Sequence, residues 1–500
     1  MSTRSASTIG SVVLGFAERS PEACFLVFEH QPGSLETITY QQMADRSRAA
    51  AAMLHAQGVG PGERVGVHLT SCPQFYDVWF GAALLGAAIV PTNPLSTTDE
   101  LSYVYRHAGV RVVLTQDDLR TAVDGAGVSS VIDVAAGWPP DAEVELPAVA
   151  PDAVAAVMYT SGTTSRPKGV LVTHAAYLHA GDVVAAQLRV RPHDRQLIVL
   201  PLFHGNAQYY STMSALVSGA SIALAPRFSA SRWSSQATAL GATVASLFAA
   251  PIRMILAQQP GEDDRAHALR VVMFAQNVSM AQAAQFESRF GVPLLQLYGM
   301  TETVFPPLMN PLYERREPLS MGRPVPGARI RLVNEADRDV EVGEPGHLLV
   351  AGEPGRTILT GYLNDPAATV KALIDGWLHT GDMALADRDG YLFFVDRAKD
   401  MIKRAGENIS CTEVEAVVNQ HPAVFESVAV GIPDQMRDET LALFVVTRVG
   451  STVGADELLE FCRARLSSFK VPEVITFVDT LPRTSVGKVQ KHLLRRSAGE

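Results

Sequence analysis

The chain has 500 residues, of which 47% are hydrophobic and 19% charged, so it can bury a large core and is not globally disordered. Its formal net charge of −10, with no long basic run, argues against a dedicated nucleic-acid binder. Four scattered cysteines, no secretory signal in residues 1–10 and no apolar stretch near the ~20 residues of a membrane span predict a soluble cytoplasmic protein.

Apolar runs alternate with amphipathic stretches along most of the chain. Helical periodicity covers residues 40–57 and 97–108, and the second segment begins with Thr97 and Glu100 at the spacing of a capping box. Strand-like runs occupy residues 64–69, 111–114, 154–159, 196–200 and 221–225. This alternation is typical of an α/β fold with largely parallel sheets, which is the predicted fold class.

The pattern changes after a strand-like run at residues 391–395. The charged segment 396–400 follows, and beyond it short strands alternate with two helical stretches, at 413–420 and 455–466. We therefore predict a large N-terminal domain of layered sheets and helices at 1–396. A small α+β C-terminal domain follows at 397–500, joined through a charged hinge.

The strongest local signal is the segment YTSGTTSRPKG at residues 159–169, directly after a predicted strand. Hydroxyl groups, loop N–H groups and one cation suit a phosphate. The residues concerned are Thr160, Ser161, Gly162, Thr163, Thr164 and Lys168, the first of only seven lysines in the chain. A Walker A loop is excluded because Pro167 and Gly169 stand where that motif needs Gly before the lysine and Ser or Thr after it.

A second polar segment, YGMTET at residues 298–303, follows the apolar run 294–297. A hydroxyl group beside a carboxylate suits a magnesium–phosphate site, with Thr301 bonding a phosphate oxygen and Glu302 facing the metal. Taken alone, however, a Thr-Glu pair is more often a helix cap.

Three further residues are candidates whose spacing alone does not decide their role. Asp382 follows Gly381 in the segment GWLHTGD and could accept both hydroxyls of a ribose, although an Asp at such a position is commonly a turn residue. Lys488 lies in a Gly/Ser/Thr loop, whereas Lys491 and the basic residues beyond it read as a solvated face. His204, after the run 196–200, is by default a core histidine and alternatively a pocket wall.

Together these segments resemble the adenylate-forming superfamily of acyl-CoA synthetases, luciferases and peptide-synthetase adenylation domains. Their order matches the superfamily over roughly residues 10–495. The amino-acid sequences of residues 160–169, 274–279 and 402–408 are most similar to those of the crotonobetaine/carnitine-CoA ligase branch. The resemblance implies an acyl-CoA synthetase/luciferase-like fold with a mobile C-terminal domain.

The resemblance also implies an activity and three cofactors: ATP, Mg²⁺ and coenzyme A. A small carboxylic acid would be activated as acyl-AMP with release of pyrophosphate, and the acyl group would then pass to coenzyme A. In this interpretation the 160–164 loop and Lys168 hold the β- and γ-phosphates, Thr301 contacts the α-phosphate and Glu302 holds Mg²⁺. Lys488 would bridge the substrate carboxylate and the α-phosphate.

By the same resemblance, other residues surround the nucleoside, coenzyme A and the acid. Asp382 and Arg397 would take the ribose, and the segment 274–279 with Tyr298, Gly299 and Met300 would line the adenine. Lys399 would be the hinge, and Lys403, Ala405 and Gly406 would border the path of the coenzyme A thiol. The acyl pocket would be walled by His204, Gln208, Asn277 and Tyr298.

Two departures from the family pattern affect the walls of these sites. The segment 274–279 reads FAQNVS in place of the commoner Gly-Gly-Ala-Pro wording, and Ala405 stands where Gly is commoner. Residues 201–216 contain no Asp or Glu, which disfavours an amino-acid substrate and favours an apolar or partly hydroxylated acid. The main alternative function is a stand-alone adenylating enzyme that loads a carrier protein, and a non-catalytic relative is a third. We expect no nucleic-acid partner, no membrane insertion and a homodimeric assembly.

Overall fold

The computed structural model describes residues 7–138, 144–160, 166–398, 400–404, 407–434, 438–483 and 489–499. Its helices are α1 Ile9–Arg19, α2 Tyr40–Ala56, α3 Pro73–Leu84, α4 Thr98–Ala108, α5 Arg120–Asp124, α6 His174–Leu188, α7 Met213–Ser218, α8 Trp233–Ala239, α9 Ala249–Leu256, α10 Met280–Phe290, α11 Pro366–Ala372, α12 Cys411–Val418, α13 Ala455–Arg463 and α14 Lys491–Gly499.

Its strands are β1 Cys24–Gln31, β2 Ser34–Thr39, β3 Arg64–His68, β4 Ala88–Pro91, β5 Val112–Thr115, β6 Ser130–Asp133, β7 Val154–Thr160, β8 Lys168–Thr173, β9 Arg195–Ile198, β10 Ser221–Leu224, β11 Val244–Phe248, β12 Val271–Ala275, β13 Leu294–Tyr298, β14 Leu308–Met309, β15 Arg323–Pro324, β16 Arg329–Val333, β17 Gly346–Ala351, β18 Gly361–Tyr362, β19 Leu373–Ile374, β20 Trp377–Ala386, β21 Leu392–Arg397, β22 Ile402–Arg404, β23 Glu407–Ile409, β24 Val424–Asp434, β25 Asp438–Thr447 and β26 Val474–Phe477.

Two large sheets dominate the fold. A nine-stranded sheet has the order β15-β14-β13-β12-β11-β9-β10-β1-β2, and a seven-stranded sheet has the order β18-β8-β7-β4-β3-β5-β6. In the first, β1, β10, β9, β11, β12 and β13 run parallel; in the second, β7, β4, β3, β5 and β6 do. The predicted α/β class with largely parallel sheets is therefore confirmed.

The main core combines side chains from both large sheets with helices α1, α2, α3 and α6. Helix α3 is apolar nearly all round, and each of its residues except Gln74 is buried, as expected of a helix enclosed by other elements. Close packing with α2 depends on Gly81, because a Cβ there would lie 2.9 Å from the backbone nitrogen of Ala51 and the carbonyl oxygen of Ser47. Phe25, Tyr76, Trp79 and Phe80 form an aromatic cluster in this core.

The chain divides into two compact units. One contains most of the first 330 residues together with Val350–Leu378, and the other contains Arg331–Leu349 and the chain from His379 onward. The second unit includes the β20–β21 hairpin and a five-stranded sheet of order β23-β22-β25-β24, with β26 against β25. A domain boundary at 396/397 stays a prediction.

The predicted local elements agree with the described ones in type and nearly in length. Helix α4 begins with the expected capping box, in which Thr97 Oγ1 accepts from Glu100 N and the Glu100 carboxylate accepts from Thr97 N. Among the described residues, no helix combines the length and the apolar character needed to cross a membrane.

Candidate active site

The carboxyl ends of four parallel strands, β9, β11, β12 and β13, meet at one edge of the nine-stranded sheet. The register pairs Phe248 with Ala275 and Ala275 with Leu297, so the chain leaves β11, β12 and β13 at the same level. His204, Asn277 and Tyr298, three of the predicted acyl-pocket residues, follow or end strands at this edge. Ligands of open α/β sheets bind at this edge.

The ends of the predicted phosphate loop are held by a hairpin and by helix α4. Thr160 lies opposite Lys168 in the antiparallel β7–β8 pair, and Tyr103 Oη donates to the carbonyl oxygen of Pro167 at 3.0 Å. Tyr159 Oη lies 2.7 Å from His107 Nδ1. Ser161, Gly162, Thr163 and Thr164 lie outside the described residues, so their predicted role rests on the sequence.

Tyr362 contacts both Lys168 and Glu302, the two residues predicted to lie at the phosphates. The Lys168 ammonium is 4.9 Å from the centre of the Tyr362 ring, and Tyr362 Oη donates to Glu302 Oε1 at 3.0 Å. Strand β18 brings Tyr362 here because it pairs with β8, and Leu359 N also donates to the carbonyl oxygen of Glu302 at 3.0 Å. Burial and the neighbouring Glu302 carboxylate raise the pKa of Tyr362, so its phenol stays protonated.

The environment of Glu302 fits a magnesium ion. The residue is only 8% exposed, and its carboxylate supplies the hard oxygen ligands that Mg²⁺ prefers. Among the described residues no group of three or more His, Cys, Asp or Glu side chains is placed to hold a metal. Mg²⁺ in nucleotide enzymes is commonly bound by one or two carboxylates together with the phosphates of the substrate.

The segment after Tyr298 has an unusual backbone. Val304 has a φ of 60°, and Phe305 N donates across it to the carbonyl oxygen of Thr303 at 2.7 Å. A β-branched residue in this region of φ is strained, and such strain is concentrated at functional sites. Thr303 Oγ1 also accepts from Met300 N at 3.0 Å, so residues 300–305 form a tight turn that fixes the backbone on both sides of Glu302.

Gly299 permits another close approach at this turn. A Cβ on Gly299 would lie 2.1 Å from Tyr210 Oη and 3.5 Å from the carbonyl oxygen of Phe305. Tyr210 belongs to a π-helical turn at Asn206–Thr212, an irregularity that often marks functional sites. Burial raises the pKa of Tyr210, which keeps the phenol neutral.

The segment 274–279, predicted to line the adenine, makes a polar contact with strand β13. Gln276 has a φ of 73° immediately after β12, and the side-chain amides of Asn277 and Gln296 are 2.7 Å apart. The unusual amino-acid sequence of segment 274–279 therefore places the amide of Asn277, rather than an apolar side chain, beside β13.

His204 and Gln208 have different surroundings. The His204 ring is half-buried and packs edge-on against Phe248 at 5.5 Å. Gln208 is 0% exposed, and its amide donates to the carbonyl oxygen of Leu202 at 2.7 Å and accepts from Tyr177 Oη. Gln208 thus supports the chain behind the predicted pocket.

The second unit contains its own pair of predicted site residues. Asp382 and Arg397 are opposite each other in the β20–β21 hairpin, and Arg397 Nε is 3.1 Å from Asp382 Oδ1. Asp382 is 3% exposed whereas the Arg397 side chain is 41% exposed. The cross-strand register thus places the two predicted ribose residues side by side.

Other predicted residues of this part of the chain are not described. Lys399, Ala405, Gly406 and Lys488, and the side chain of Lys403, lie outside the described residues. Sequence reasoning in turn missed Tyr362. This residue belongs to no phosphate-like motif and reaches the site only through tertiary contacts.

Comparison with known proteins decides the family. The profile of the AMP-binding enzyme matches residues 15–363, and that of the AMP-binding enzyme C-terminal domain matches residues 413–488. The chain belongs to the AMP-binding enzyme family. It is 35% identical to the crotonobetaine/carnitine–CoA ligase of Salmonella arizonae over 94% of this chain and 95% of that protein.

Solved structures support the same assignment. The o-succinylbenzoate CoA synthetase of Bacillus subtilis, in complex with its acyl-adenylate intermediate, has a TM-score of 0.87 and 27% identity, covering 97% of each chain. The ATP-bound MatB of Rhodopseudomonas palustris, with a TM-score of 0.88 and 24% identity over 99% of each chain, shares the fold. This AMP-binding enzyme is an AMP-forming acyl-CoA synthetase, which couples a small carboxylic acid to coenzyme A at the expense of ATP.

Proposed function

We propose that the turn at residues 298–305 and the β7–β8 hairpin form the phosphate end of the adenylation site of this acyl-CoA synthetase. One observation carries the proposal: Tyr362 contacts both Lys168 and Glu302, the cation and the carboxylate that the chemistry requires. In the first half-reaction a substrate carboxylate oxygen attacks the α-phosphorus of ATP and pyrophosphate leaves. The nucleophile belongs to the substrate, so the protein contributes positioning and charge stabilisation.

We assign the phosphate end of the nucleotide to the first unit. Lys168 and the 160–164 loop hold the β- and γ-phosphates, and Thr301 contacts the α-phosphate. Glu302, oriented by Tyr362, holds Mg²⁺, which neutralises phosphate charge when bound. Tyr298, Gly299 and Met300 border the adenine.

The ribose and the second half-reaction are assigned to the C-terminal part of the chain. Asp382, beside Arg397, accepts hydrogen bonds from the ribose hydroxyls. Lys488 bridges the substrate carboxylate and the α-phosphate. Lys399 is the proposed hinge, and Lys403, Ala405 and Gly406 border the thiol path. There the thiol of coenzyme A loses its proton and its sulfur forms a bond to the acyl carbonyl carbon. The bond from that carbon to the phosphate oxygen breaks, and AMP leaves with the oxygen.

The proposed acid is apolar or partly hydroxylated. The relatives' names specify crotonobetaine and carnitine, whose trimethylammonium group would call for an aromatic cage or a carboxylate. Residues 201–216 contain neither Asp nor Glu, and Glu302 accepts a hydrogen bond from Tyr362. The rings of Phe248 and Tyr210 lie near the strand edge, so the proposal of an uncharged acid rests on the lack of a carboxylate in residues 201–216.

A pair of isosteric acids tests this substrate class. Crotonobetaine and its carbon isostere 5,5-dimethylhex-2-enoate differ only in the charge at the quaternary centre. We expect kcat/KM for the neutral isostere to exceed that for crotonobetaine by at least about tenfold, measured as coenzyme A thioester by mass spectrometry. A preference for crotonobetaine would contradict the proposed class and indicate an aromatic cage or a carboxylate in the pocket.

The role of Lys488 is tested by separating the two half-reactions. Lys488→Ala should reduce acid-dependent ATP–pyrophosphate exchange by about 100-fold or more, because it removes the charge at the reacting oxygens. Thioester formation from supplied acyl-AMP and coenzyme A should fall far less. Equal losses in the two assays would defeat the assignment of Lys488 to adenylation alone.

We also propose a cytoplasmic location and a homodimeric assembly. The location is supported by Cys24, Cys72, Cys411 and Cys462, all of which are free thiols. Light scattering coupled to size-exclusion chromatography tests the assembly, and a mass of one chain across micromolar concentrations would exclude the dimer.

A further inference from the structure

The place of Lys491 in a basic carboxyl terminus predicts that it lies on a solvated face. The structure contradicts that prediction. Lys491 is the first residue of helix α14, and its Nζ donates to Glu415 Oε1 at 2.9 Å, with each side chain only 20% exposed. Ala429 N, on strand β24, donates to the same Glu415 oxygen at 2.9 Å. The ion pair therefore joins α14, α12 and β24.

A second carboxylate belongs to the same cluster. Asp396, at the end of strand β21, is 3% exposed, and its Oδ2 accepts from Cys411 N at 2.7 Å at the start of α12. Burial alone would lower the pKa of Lys491, but Glu415 and Asp396 outweigh it and raise the pKa, so the ammonium remains charged. Beside this cluster, Arg495 of α14 donates to Asp400 Oδ1 at 2.7 Å. Two cations of one helix thus contact carboxylates, Lys491 that of Glu415 and Arg495 that of Asp400.

The loop that carries Lys488 ends next to this cluster. Arg483 and Val489 form an antiparallel bridge, and Gln490 N donates to the carbonyl oxygen of Pro482 at 2.8 Å, so the two ends of segment 484–488 are fastened together. Leu494 packs with Leu481 in a small apolar cluster on β24 and β25. Lys491 is thus two residues beyond the bridge and is the charged contact nearest to the loop on its carboxyl side.

We propose that Lys491 is a positioning residue for the adenylation half-reaction, because its ion pair with Glu415 fixes the base of the loop that presents Lys488. The inference rests on the proposed role of Lys488. A lysine that only stabilised the unit would affect both half-reactions alike. A lysine that positions Lys488 affects adenylation selectively, since thioester formation does not use Lys488.

The test compares Lys491 with a second lysine that pairs with a glutamate of α12. Lys470 Nζ lies 2.7 Å from both carboxylate oxygens of Glu413, and the Lys470 side chain is 21% exposed and that of Glu413 46%. Lys491→Met should reduce kcat for ATP–pyrophosphate exchange by about 100-fold, as a displaced catalytic group does, with little change in KM for ATP. Lys470→Met should change that kcat by less than about threefold, the effect of losing an ordinary ion pair.

Thioester formation from supplied acyl-AMP should change by less than about threefold in both variants, and Lys491→Arg, which keeps the charge, should recover part of the exchange activity. Because Lys491→Met leaves Glu415 without its cation, the double variant Lys491→Met/Glu415→Gln serves as the folding control. It should unfold at a temperature near that of the unsubstituted enzyme while exchange stays low.

Three results would overturn the inference. The first is an equal loss of both half-reactions in Lys491→Met. The second is full recovery of exchange in the double variant, which would show that the pair only balances charge. The third is an exchange rate in Lys491→Met equal to that of the unsubstituted enzyme, when Lys488→Ala has lost exchange. If Lys488→Ala keeps its exchange activity, the proposed role of Lys488 itself is refuted.

Discussion

At the scale of single residues, the contact between Gly299 and Tyr210 is the most restrictive feature of the site. The two residues come from different parts of the nine-stranded sheet edge, and the phenol oxygen occupies the space that a side chain at 299 would need. Any residue larger than glycine must displace either the Tyr210 ring or the turn that carries Glu302. Both displacements alter the walls of the proposed nucleotide site.

We predict that Gly299→Ala reduces ATP–pyrophosphate exchange by about 100-fold, because the new methyl group would meet Tyr210 Oη at 2.1 Å and shift the turn. The double variant Gly299→Ala/Tyr210→Phe removes that oxygen and leaves the ring carbon at 3.3 Å as the nearest neighbour. It should regain at least part of the lost exchange. Equal activity of the single and double variants would show that the contact does not control the turn.

Tyr362 shows what residue-level sequence reasoning could not find. Lys168 and Glu302 were identifiable because each lies in a polar segment after an apolar strand, where phosphate chemistry is common. Tyr362 has no such context. Its partners are set by the pairing of β18 with β8, a tertiary contact between segments far apart in sequence.

At the scale of elements, strand β3 ends in a buried titratable group. His68 is 0% exposed, its Nδ1 is 2.9 Å from Thr92 Oγ1, and Thr92 in turn lies 3.1 Å from Tyr105 Oη. The other ring nitrogen, Nε2, has no hydrogen-bond partner among the described residues. Burial lowers the pKa of His68 to about 4 from its ordinary value of 6.5.

This pKa predicts that the enzyme loses stability as the pH falls from 6.5 toward 4. In that window the unfolded chain binds a proton at His68 and the folded chain does not, so acid favours unfolding. Going from pH 7.5 to pH 5 should cost about 2 kcal/mol from His68 alone. His68→Asn should remove that share of the decrease, measured by urea unfolding at the two pH values.

The matched control for this prediction is His55→Asn, because His55 is exposed at the end of α2. That variant should show the same acid dependence as the unsubstituted enzyme. Burial lowers the pKa of His174 to about 4 as well, so part of the dependence should survive in His68→Asn. An acid dependence that is identical in His68→Asn and the unsubstituted enzyme would refute the assignment.

Element types were more predictable than element ends. The capping box of α4 and the apolar runs of β3 and β7 depend on neighbouring residues, so they are readable from the sequence. Helix α12 begins at Cys411, before the predicted start at 413, because Ser410 caps it and Asp396 accepts from its first N–H groups. The interaction with Asp396 comes from strand β21, so the sequence around the start of α12 does not indicate it.

At the scale of the whole molecule, the last hundred residues or so contain a core of their own. Side chains from β22, β23, α12, β24, β25 and α13 form one apolar cluster, and Leu481 and Leu494 join β24 and β25 in another. The change of sequence pattern near residue 396 predicted a separate domain here. Its internal ion pairs were not predictable, because Lys491 looks like any other residue of a basic tail until its partner Glu415 is known.

We predict that a fragment of residues 396–500 folds by itself, because it keeps both apolar clusters and the ion pair of Lys491 with Glu415. It should show the circular dichroism of a mixed α+β protein and one cooperative thermal transition.

A fragment of residues 413–500, which starts where the C-terminal family match starts, loses the buried side chains of Ile402, Ile409 and Cys411. Removing three core side chains together costs several kcal/mol, of the order of a small domain's whole stability, so this shorter fragment should unfold without a cooperative transition. Cooperative unfolding of both fragments at similar temperatures would show that strands β22 and β23 are not part of the folding unit, whereas failure of the longer fragment would show that it needs the rest of the chain to fold.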